Sequence, residues 1–460
     1  MTLYFYNSLS RRKELFIPQD ESCIKLYVCG PTVYDRAHLG NARSAVVFDQ
    51  LFRLLRIYYP AVHYARNITD VDDKINEASL TRGLPIEAIT QETTAWYQQD
   101  MTRLNALPPT VEPRATAHIS EMIDMIQTLI VKGHAYEAEG HVLFRVVSFP
   151  EYGKLSGRSQ DDVLAGARVE VAPFKEDPSD FVLWKPSESP MPGWESPWGF
   201  GRPGWHIECS AMGQKHLGFP LDIHCGGHDL QFPHHENEIA QGECATGKTC
   251  ARYWLHNGML TVDGQKMSKS LGNFITMEEA FSMAPGEVIR YVLLSGHYRQ
   301  DLDWNESHIL QARQAMDRFY QVKGLAEAQG VSFDIEPEAD IEVNPVLEAL
   351  EDDLNTPKAF AILHQLANSL YKDFSIPVFL QFYQGAQTLG LLSMSSGEWF
   401  QGSLDETGLC MADVEQAILD RAQAKCDKDY GQADRIRLDL LEKGIVLEDH
   451  KDGTTTWKKS

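Results

Sequence analysis

Residues able to bind a polyphosphate are concentrated in two short segments of the chain. The first, KLYVCGPTVYDRAHLGNAR at 25–43, contains His38 and Asn41 as side-chain donors, with Gly40 between them leaving room for a ligand near the backbone. The second, KMSKS at 266–270, has two ammonium groups on a loop flanked by glycines. A pattern such as HLGN is by itself typical of an ordinary loop, whereas KMSKS rarely arises by chance. Together the two segments indicate a site for phosphate groups.

A strand, a tight turn and a helix are predicted to position the first segment. Residues 25–28 are a β-branched and aromatic run, 29–31 read Cys-Gly-Pro, and 42–55 are apolar and alanine-rich with helical spacing. In an open α/β sheet such a junction lies at the carboxyl end of a strand, where the helix dipole and unpaired N–H groups favour anions. A second strand at 61–66, a polar turn at 67–70 and a helix starting at 71–74 continue the alternation of a doubly wound nucleotide-binding fold.

A metal site is one explanation for His234 and Glu238, which are four residues apart. A helix starting at Pro233 and ending near residue 244 would place both side chains on one face, about one turn apart. A solvated helix face explains the same spacing, and the sequence alone leaves the two open. His235 would point about 100° away, which favours a structural role. In a cytosolic protein the scattered cysteines, at 23, 29, 209, 225, 244, 250, 410 and 426, are expected to be thiols or metal ligands rather than disulfides.

The composition is that of a globular protein with about two to four domains, since single cores stop growing near roughly 250 to 300 residues. The 460 residues are 43% hydrophobic and 23% charged. No apolar run approaches the roughly 18 residues that span a bilayer, and no signal-peptide segment is evident, so we expect a cytoplasmic protein without a membrane partner.

The charge distribution excludes a protein that coats nucleic acid nonspecifically, because the net charge is −23. Residues 311–420 contain 5 Lys and Arg against 18 Asp and Glu, whereas residues 421–460 contain 9 against 8. The last segment is therefore the least repulsive toward a phosphate backbone. Such a balance suits local, shape-selected contact with RNA.

The two phosphate-binding segments resemble the paired signatures of the class I aminoacyl-tRNA synthetases. Around them, CGPTVYD, RNITDVDDK, GRPGWHIECSAM, FPHHENEIAQ and MSKSLGNF resemble the cysteinyl-tRNA synthetases in particular. The resemblance runs from about residue 4 to residue 457, so it covers nearly the whole chain. It implies an enzyme that activates L-cysteine with ATP to cysteinyl-adenylate and transfers the cysteinyl group to the 3′ end of cysteine tRNA. We expect the chain to be a monomer.

The resemblance implies an α/β fold: a Rossmann-like doubly wound nucleotide-binding domain with an inserted connective domain, a helical-bundle domain and a small mixed α/β C-terminal domain. The halves of the catalytic domain are predicted at 1–107 and 205–252, with the connective insertion at 108–204. The KMSKS loop and stem-contact region follow at 253–309, the helical anticodon-stem domain at 310–394 and the anticodon-binding domain at 395–460. Within them we expect a helix at 115–131, strands at 135–147, 221–224 and 253–257, a glycine turn at 225–227, a linker near 395–408, and a final strand pair with Gly453 at its turn.

For the metal site, the resemblance implies that one Zn²⁺ ion per chain is held by Cys29, Cys209, His234 and Glu238. Two thiolates, an imidazole and a carboxylate make a borderline-soft ligand set that suits zinc. Zinc binds a thiolate far better than a hydroxyl, which would separate cysteine from serine where a hydrophobic pocket discriminates poorly. No editing site would then be needed, and none is evident in the sequence.

For activation, the resemblance implies groups that stabilise charge at the α-phosphate of ATP. These catalytic residues would be His38, Asn41, Lys266 and Lys269. Further ATP contacts would be Gly40, Gly227, Asp229 and Ser268, with Mg²⁺ bound to the nucleotide. Asn41 departs from the family, whose first signature more often ends in His, and an amide cannot carry a charge. Cys225 also departs, since the family commonly has another Gly there.

The remaining contacts implied by the resemblance concern the amino acid and the tRNA. The cysteine pocket would include Gly30, Thr69 and Trp205. Anticodon bases would contact Tyr430, Asp434 and Asp449, since aromatic stacking and carboxylates that accept from base amino groups suit splayed bases. The family often has Trp where this chain has Tyr430, which changes the stacking surface.

Two other functions fit part of the sequence. A related ligase that passes activated cysteine to a small amino sugar would share the catalytic core, but such relatives lack the full C-terminal RNA-binding segment, which this chain retains through GIVLEDHKDGTTTW. A catalytically inactive relative could serve as an RNA-binding or regulatory module. The intact KMSKS segment, His38 and the four zinc positions count against that alternative.

Overall fold

The computed structural model describes residues 2–158, 173–188, 191–268, 271–333, 344–401, 411–449 and 455–459. Its strands are β1 (Tyr4–Asn7), β2 (Arg12–Leu15), β3 (Ile24–Val28), β4 (Val62–Arg66), β5 (Ala135–Ala138), β6 (His141–Phe144), β7 (Phe181–Pro186), β8 (Gly201–Pro203), β9 (Leu221–Gly227), β10 (Ala251–Asn257), β11 (Leu260–Val262), β12 (Gln265–Lys266), β13 (Leu302–Trp304), β14 (Ile445–Asp449) and β15 (Thr455–Lys459).

The α-helices, again in chain order, are α1 (Leu39–Tyr58), α2 (Asp73–Arg82), α3 (Ile86–Arg103), α4 (Ile119–Val131), α5 (Ile207–His216), α6 (Glu236–Thr246), α7 (Met277–Met283), α8 (Gly286–Ser295), α9 (Glu306–Ala328), α10 (Pro345–Glu351), α11 (Thr356–Lys372), α12 (Ile376–Thr388), α13 (Ser396–Gln401), α14 (Met411–Cys426) and α15 (Tyr430–Glu442). Among these described helices, none is both long and apolar enough to cross a membrane.

Four parallel strands form the central sheet, in the order β10-β9-β3-β4. This confirms the predicted doubly wound α/β fold. The direction in which strands are added reverses between β3 and β9, so the switch point of the sheet lies between these two strands. Residues at their carboxyl ends, including Cys29 after β3 and Gly227 at the end of β9, therefore meet at one edge of the sheet.

The first helix is longer than the sequence pattern predicts, since α1 covers 39–58 instead of 42–55. Its apolar face is buried in the core, as Ala42, Val46 and Leu54 show by their lack of exposure. Of the additional N-terminal residues, Leu39 is buried and continues the apolar face, whereas Gly40 and Asn41 are poor helix formers. They become helical because His38 caps the helix with its side chain, which accepts a hydrogen bond from the Gly40 N–H.

The predicted insertion contains its own antiparallel sheet, in the order β5-β6-β7-β8. The helix predicted at 115–131 is a 3₁₀ turn at Ala115–His118 followed by α4. The first residues assigned to the insertion belong instead with the central sheet, because Val111 bridges to Ala65 and Arg114 to Ile68. The connection back into the second half of the sheet runs through β8 and α5.

Two local predictions around β9 and β10 are wrong, and a third fits the backbone. The helix predicted from Pro233 fits, because within Gln231–His235 only Phe232 is non-helical (φ −143°, ψ 132°) and His235 leads directly into α6. Residues 225–227, however, are not a turn but the end of β9, where they pair with residues 255–257. The predicted boundary at residue 252 falls inside β10, so both sides of it belong to one sheet.

The KMSKS segment starts in a small sheet in which β11 pairs with β12 and with β13. The region beyond it is helical from α7 to α12, as predicted, and shares one hydrophobic core with the central sheet. The linker expected near 395–408 is wrong in its first part. Residues 396–401 form α13, because Trp399 is buried and stacks on Tyr320 with ring centroids 4.3 Å apart. Residues 402–408 lie outside the described residues.

The C-terminal segment is a small α/β unit with a separate core. The helices α14 and α15 pack together, and α15 packs against β14 of the antiparallel pair β14–β15, which confirms the predicted strand pair. Its buried side chains include Val414, Leu440, Ile445 and Trp457. Gly453, predicted at the turn of this pair, lies outside the described residues.

Candidate active site and metal centre

A cavity of about 310 Å³ opens at the carboxyl ends of β3 and β9. This switch-point position is where open α/β sheets bind ligands. Eight of the residues predicted for the active site line it: Cys29, Gly30, His38, Gly40, Asn41, Trp205, Gly227 and Asp229. The two halves of the sheet thus bring together segments that are nearly 200 residues apart in the sequence.

His38 and Asn41 lie at the start of α1 and hold each other in place. The Gly40 N–H donates to His38 Nδ1 over 3.0 Å, and the His38 N–H donates to Asn41 Oδ1 over 3.2 Å. Because Nδ1 acts as an acceptor, the proton of a neutral His38 ring is on Nε2, the nitrogen that can donate to an anion. The capping arrangement therefore prepares His38 as a hydrogen-bond donor at the positive end of a helix.

Gly40 has a second role that the sequence pattern does not reveal. A Cβ at this position would lie 2.9 Å from two ring atoms of His38. Glycine at position 40 therefore makes room for the capping imidazole as well as for a ligand.

The structure describes residues 266–268 of the KMSKS segment. Lys266 ends β12 with an exposed side chain, and the Ser268 N–H donates to Asn273 Oδ1 over 2.9 Å. Asn273 also donates from Nδ2 to the Lys266 carbonyl over 3.2 Å, so it closes the segment into a loop. Lys269 lies outside the described residues, and its predicted role stays a prediction.

Gly227 and Asp229 follow one another closely at the end of β9. A Cβ on Gly227 would lie 2.4 Å from Asp229 Oδ1, so only glycine leaves the carboxylate in its position at the cavity wall. The arrangement provides an acceptor beside an open stretch of backbone.

The four side chains predicted as metal ligands meet at the end of β3. Their ligand atoms all lie within 4.8 Å of one another. Cys29 Sγ is 3.7 Å from Cys209 Sγ and 3.3 Å from Glu238 Oε1, and His234 Nε2 is 3.0 Å from the same oxygen. These residues come from the end of β3, from α5, and from the first residues of α6 and those just before it. His234 and Glu238 share a face, as their spacing predicts.

The chemistry of this cluster fits a bound dication. Burial raises the pKa of the Cys29 thiol well above its usual range, while the hydrogen bond from Cys29 lowers the pKa of Cys209 to about 6. Two thiolates and the Glu238 carboxylate in one buried space would repel one another, and a cation would remove that cost. His234 Nδ1 lies 3.0 Å from His206 Nδ1, which leaves Nε2 directed at the other ligands.

His224 is a further member of the centre that sequence reasoning missed. Its Nε2 lies 2.9 Å from Glu238 Oε2, so Glu238 contacts the ligand cluster with one oxygen and His224 with the other. His224 is the last residue of the strand predicted at 221–224. Because strand ends meet at one edge of a parallel sheet, this position could have predicted that His224 lies near Cys29. His224 and His235 also form a second possible ligand cluster with Cys29 and Glu238, whose ligand atoms lie within 4.8 Å of one another, and His235 contacts His256 over 2.8 Å.

Comparison with known proteins identifies the family. The model of the class I (C) tRNA synthetase catalytic domain matches residues 15–314, and that of the DALR domain matches residues 345–373. A cysteine–tRNA ligase from Paramagnetospirillum magneticum is 54% identical over 464 residues, and one from Xanthomonas axonopodis pv. citri is 52% identical over 478 residues. Both alignments cover 100% of each chain. This chain belongs to the cysteine–tRNA ligase family.

Solved structures of other class I synthetases share the fold of this cysteine–tRNA ligase family member. Methionyl-tRNA synthetase from Mycobacterium tuberculosis in complex with methionyl-adenylate has a TM-score of 0.59 at 15% identity, covering 85% of this chain and 95% of that one. The leucyl enzyme of an Agrobacterium radiobacter ternary complex has a TM-score of 0.56 at 12% identity, with coverages of 81% and 84%. At these identities the likeness concerns the fold alone.

The family's expected cysteine pocket is only partly assembled around the cavity. Trp205 lines the cavity, 42% exposed, with its ring centroid 4.4 Å from that of His234. Gly30 lies beside the next strand, since a Cβ there would be 1.7 Å from the Asn67 carbonyl oxygen. Thr69 is buried, does not line the described cavity wall, and donates its hydroxyl to Glu208 Oε2 over 2.8 Å.

The residues expected to contact the anticodon in this family lie around Arg421. Asp449 accepts two hydrogen bonds from Arg421, over 2.8 and 2.9 Å, and one from Lys425 over 3.1 Å. These contacts hold the pKa of Asp449 well below its usual range, with the Arg421 hydrogen bonds as the main cause. The pKa of Arg421 is raised mainly by its hydrogen bonds to Asp449 and to a smaller extent by the charge of Asp434. Tyr430, at the first position of α15, is 64% exposed and so presents its ring to solvent.

Proposed function

We propose that this protein is a cysteine–tRNA ligase, which converts L-cysteine and ATP to cysteinyl-adenylate and diphosphate and then transfers the cysteinyl group to the 3′ end of cysteine tRNA. The observation that carries the proposal is the convergence of Cys29, Cys209, His234 and Glu238 in one cluster. Cys29 of this cluster lines the cavity that also contains His38, Gly40 and Asn41. A thiol-selective centre beside a nucleotide site suits an enzyme that activates cysteine.

The activation step needs stabilisation of charge on the α-phosphate more than proton transfer. His38 supplies an Nε2–H donor at the start of α1, and Asn41 lies beside it as a neutral donor. Lys266 and Lys269 would supply ammonium groups from the KMSKS segment, which also contains Ser268, and Mg²⁺ would accompany the nucleotide. Asp229 accepts from the ribose hydroxyls where Gly227 leaves the backbone open.

Selection of cysteine over serine is assigned to the metal centre. A zinc ion held by the four ligands would bind a thiolate far more strongly than a hydroxyl. Trp205, in ring contact with His234, would cover the substrate side chain beside the ligands. Thr69 acts in this proposal from behind the cavity, through Glu208, whereas Gly30 lines the cavity and is held by the hydrogen bond from its N–H to Asn67 Oδ1.

The RNA-binding part of the proposal concerns the C-terminal unit. Tyr430 offers an exposed ring for stacking, while Asp434 and Asp449 would accept from base amino groups, Asp449 in competition with its Arg421 pair. We further propose that the enzyme acts in the cytoplasm as a monomer.

The proposal is tested by ATP–pyrophosphate exchange with cysteine and with serine, followed by charging of purified cysteine tRNA. We expect exchange with cysteine, discrimination against serine, and formation of cysteinyl-tRNA. Exchange without charging of tRNA would identify a ligase for a small acceptor such as an amino sugar. No exchange in zinc-loaded protein would leave only an RNA-binding or regulatory function.

A further inference from the structure

Arg43 is a buried cation in the cavity wall with no role in the chemistry proposed above. It lies in α1, two residues after Asn41, and its side chain is fully buried. The guanidinium donates hydrogen bonds to three backbone carbonyls, that of Gly258 over 2.8 Å and those of Met259 and Gln300. Its Nε has no hydrogen-bond partner in the described part of the chain.

The positive charge of Arg43 has no carboxylate within ion-pair distance in the described ranges. Burial lowers the pKa of Arg43 to about 10, and Asp301 offsets the effect of burial only in part. Arg290 is equally buried but is paired with Asp49. An unpaired buried charge is costly, so Arg43 is a poor choice for packing alone.

The three carbonyl groups lie at the base of the hairpin that leads to KMSKS. Gly258 and Met259 connect β10 to β11, and β11 is followed by β12, which ends at Lys266. Gln300 lies just before β13, the parallel partner of β11. The two connections touch, because the Gly258 N–H donates to the Tyr298 carbonyl over 2.8 Å and a Cβ on Gly258 would lie 2.4 Å from the Gln300 oxygen.

The far end of the KMSKS segment is attached to the start of α1 by main-chain hydrogen bonds. The Leu39 N–H donates to the Ile275 carbonyl over 3.2 Å, and the Met277 N–H donates to the Ala37 carbonyl over 2.8 Å. Both ends of the segment are therefore attached to the region of His38. Backbone pairing fixes the trailing end, whereas the side chain of Arg43 fixes the leading end.

We propose that Arg43 is a positioning residue for the ATP step, which holds the base of the KMSKS hairpin at a fixed distance from His38 and Asn41. The inference rests on the proposed ligase function, because it concerns how ATP is held during activation. Moving the hairpin base would break three charge-assisted hydrogen bonds at once. The partners of Arg43 include none of the metal ligands or cysteine-pocket residues, so its effect is specific to the nucleotide end of the cavity.

Steady-state pyrophosphate exchange with Arg43→Gln and Arg43→Lys tests this role. For Arg43→Gln we expect kcat/KM for ATP to fall about 100-fold, the scale of losing one fixed electrostatic contact. The KM for cysteine and the zinc content should stay within about twofold, since neither site contacts Arg43. Arg43→Lys keeps the charge and a donor for the carbonyls, so its kcat/KM for ATP should be about tenfold higher than that of Arg43→Gln.

Two further variants separate positioning from folding. Arg53→Gln makes the same substitution near the far end of α1, where Arg53 pairs with Asp49 outside the cavity. This variant should change thermal stability, and any change in its kinetic constants should be no larger for ATP than for cysteine. Gly258→Ala displaces the Gln300 carbonyl and should reproduce the ATP-specific loss with Arg43 intact. Equal losses for ATP and cysteine in both the Arg43 and Gly258 variants, or no loss in either, would overturn the inference. Absence of exchange in the unaltered protein would instead contradict the ligase function itself.

Discussion

The proposed metal centre (the metal end) and the proposed nucleotide site (the nucleotide end) are built in opposite ways. At the metal end, Cys209, His234 and Glu238 are at most 4% exposed and already contact one another. At the nucleotide end, Lys266 is exposed and Ser268 is half-buried in a loop. Buried ionisable groups must be assembled in advance because an isolated buried charge is costly. A solvated ammonium costs little to leave in water until its phosphate arrives.

The largest expected effect is at the metal end. Cys209→Ser replaces a thiolate ligand by a hydroxyl. Loss of a residue that only supports a metal ligand typically lowers activity by up to about 100-fold, so loss of the ligand itself should lower cysteine-dependent exchange by more than about 100-fold. Zinc content should fall with it, as measured by elemental analysis. The control variant Cys23→Ser changes a thiol that belongs to neither ligand cluster, so it should retain metal and activity. Full activity in Cys209→Ser would show that cysteine activation does not depend on the metal end, and would contradict the comparison of the two ends.

His224 tests how far the metal end extends beyond its four ligands. His224→Ala leaves Glu238 Oε2 without its 2.9 Å partner, so zinc affinity should fall about 10- to 100-fold. Competition with a chelator measures this affinity, and His224→Gln, which restores a donor, should lose less. The KM for ATP should stay unchanged in both His224 variants even where the zinc affinity falls. Unchanged zinc binding in both variants would show that Glu238 does not need this contact.

At the nucleotide end, Gly40→Ala should separate activity from stability. The added Cβ would lie 2.9 Å from the His38 ring and displace it, so the rate of exchange should fall about tenfold through lost alignment. Alanine favours a helix over glycine by about 1 kcal/mol, so the thermal midpoint should not drop. Zinc content should remain that of the unaltered protein. A loss of zinc together with activity would mean that the ends are coupled.

Asp100 gives the smallest effect, and one that depends on pH. Its carboxyl is buried behind Arg36, a cavity-lining residue 3.5 Å away, and burial raises the pKa of Asp100 from 3.8 to about 6. A carboxyl with a raised folded-state pKa favours folding while protonated, and that contribution is lost as the pH rises through the window from 3.8 to about 6. Asp100→Asn should therefore melt about 2 °C higher than the unaltered protein at pH 8. The difference should shrink towards pH 4 in thermal scans, and a constant difference would contradict this pKa.

The elements around the site were largely predictable, but their ends were not. The β3–α1 junction followed from an apolar run, a Cys-Gly-Pro turn and helical spacing, all of which are local patterns. The sequence pattern starts the helix at residue 42 because Gly40 and Asn41 are poor helix formers, whereas the His38 cap and the buried Leu39 start α1 at residue 39. Residues 225–227 were taken for a turn because glycines are typical of turns, whereas pairing with β10 keeps them extended.

The sequence by itself determined the α/β class, the two nucleotide-binding segments and, through resemblance, the ligand set of Cys29, Cys209, His234 and Glu238. Residue types and short spacings suffice for these because they reflect local chemistry. Only the tertiary structure showed that His224 supports Glu238 and that Arg43 attaches the KMSKS hairpin to α1. Both contacts join residues that are distant in sequence or on different elements, and such pairs leave no local pattern. They exist because parallel strands end at one edge of the sheet and bring their connections together there.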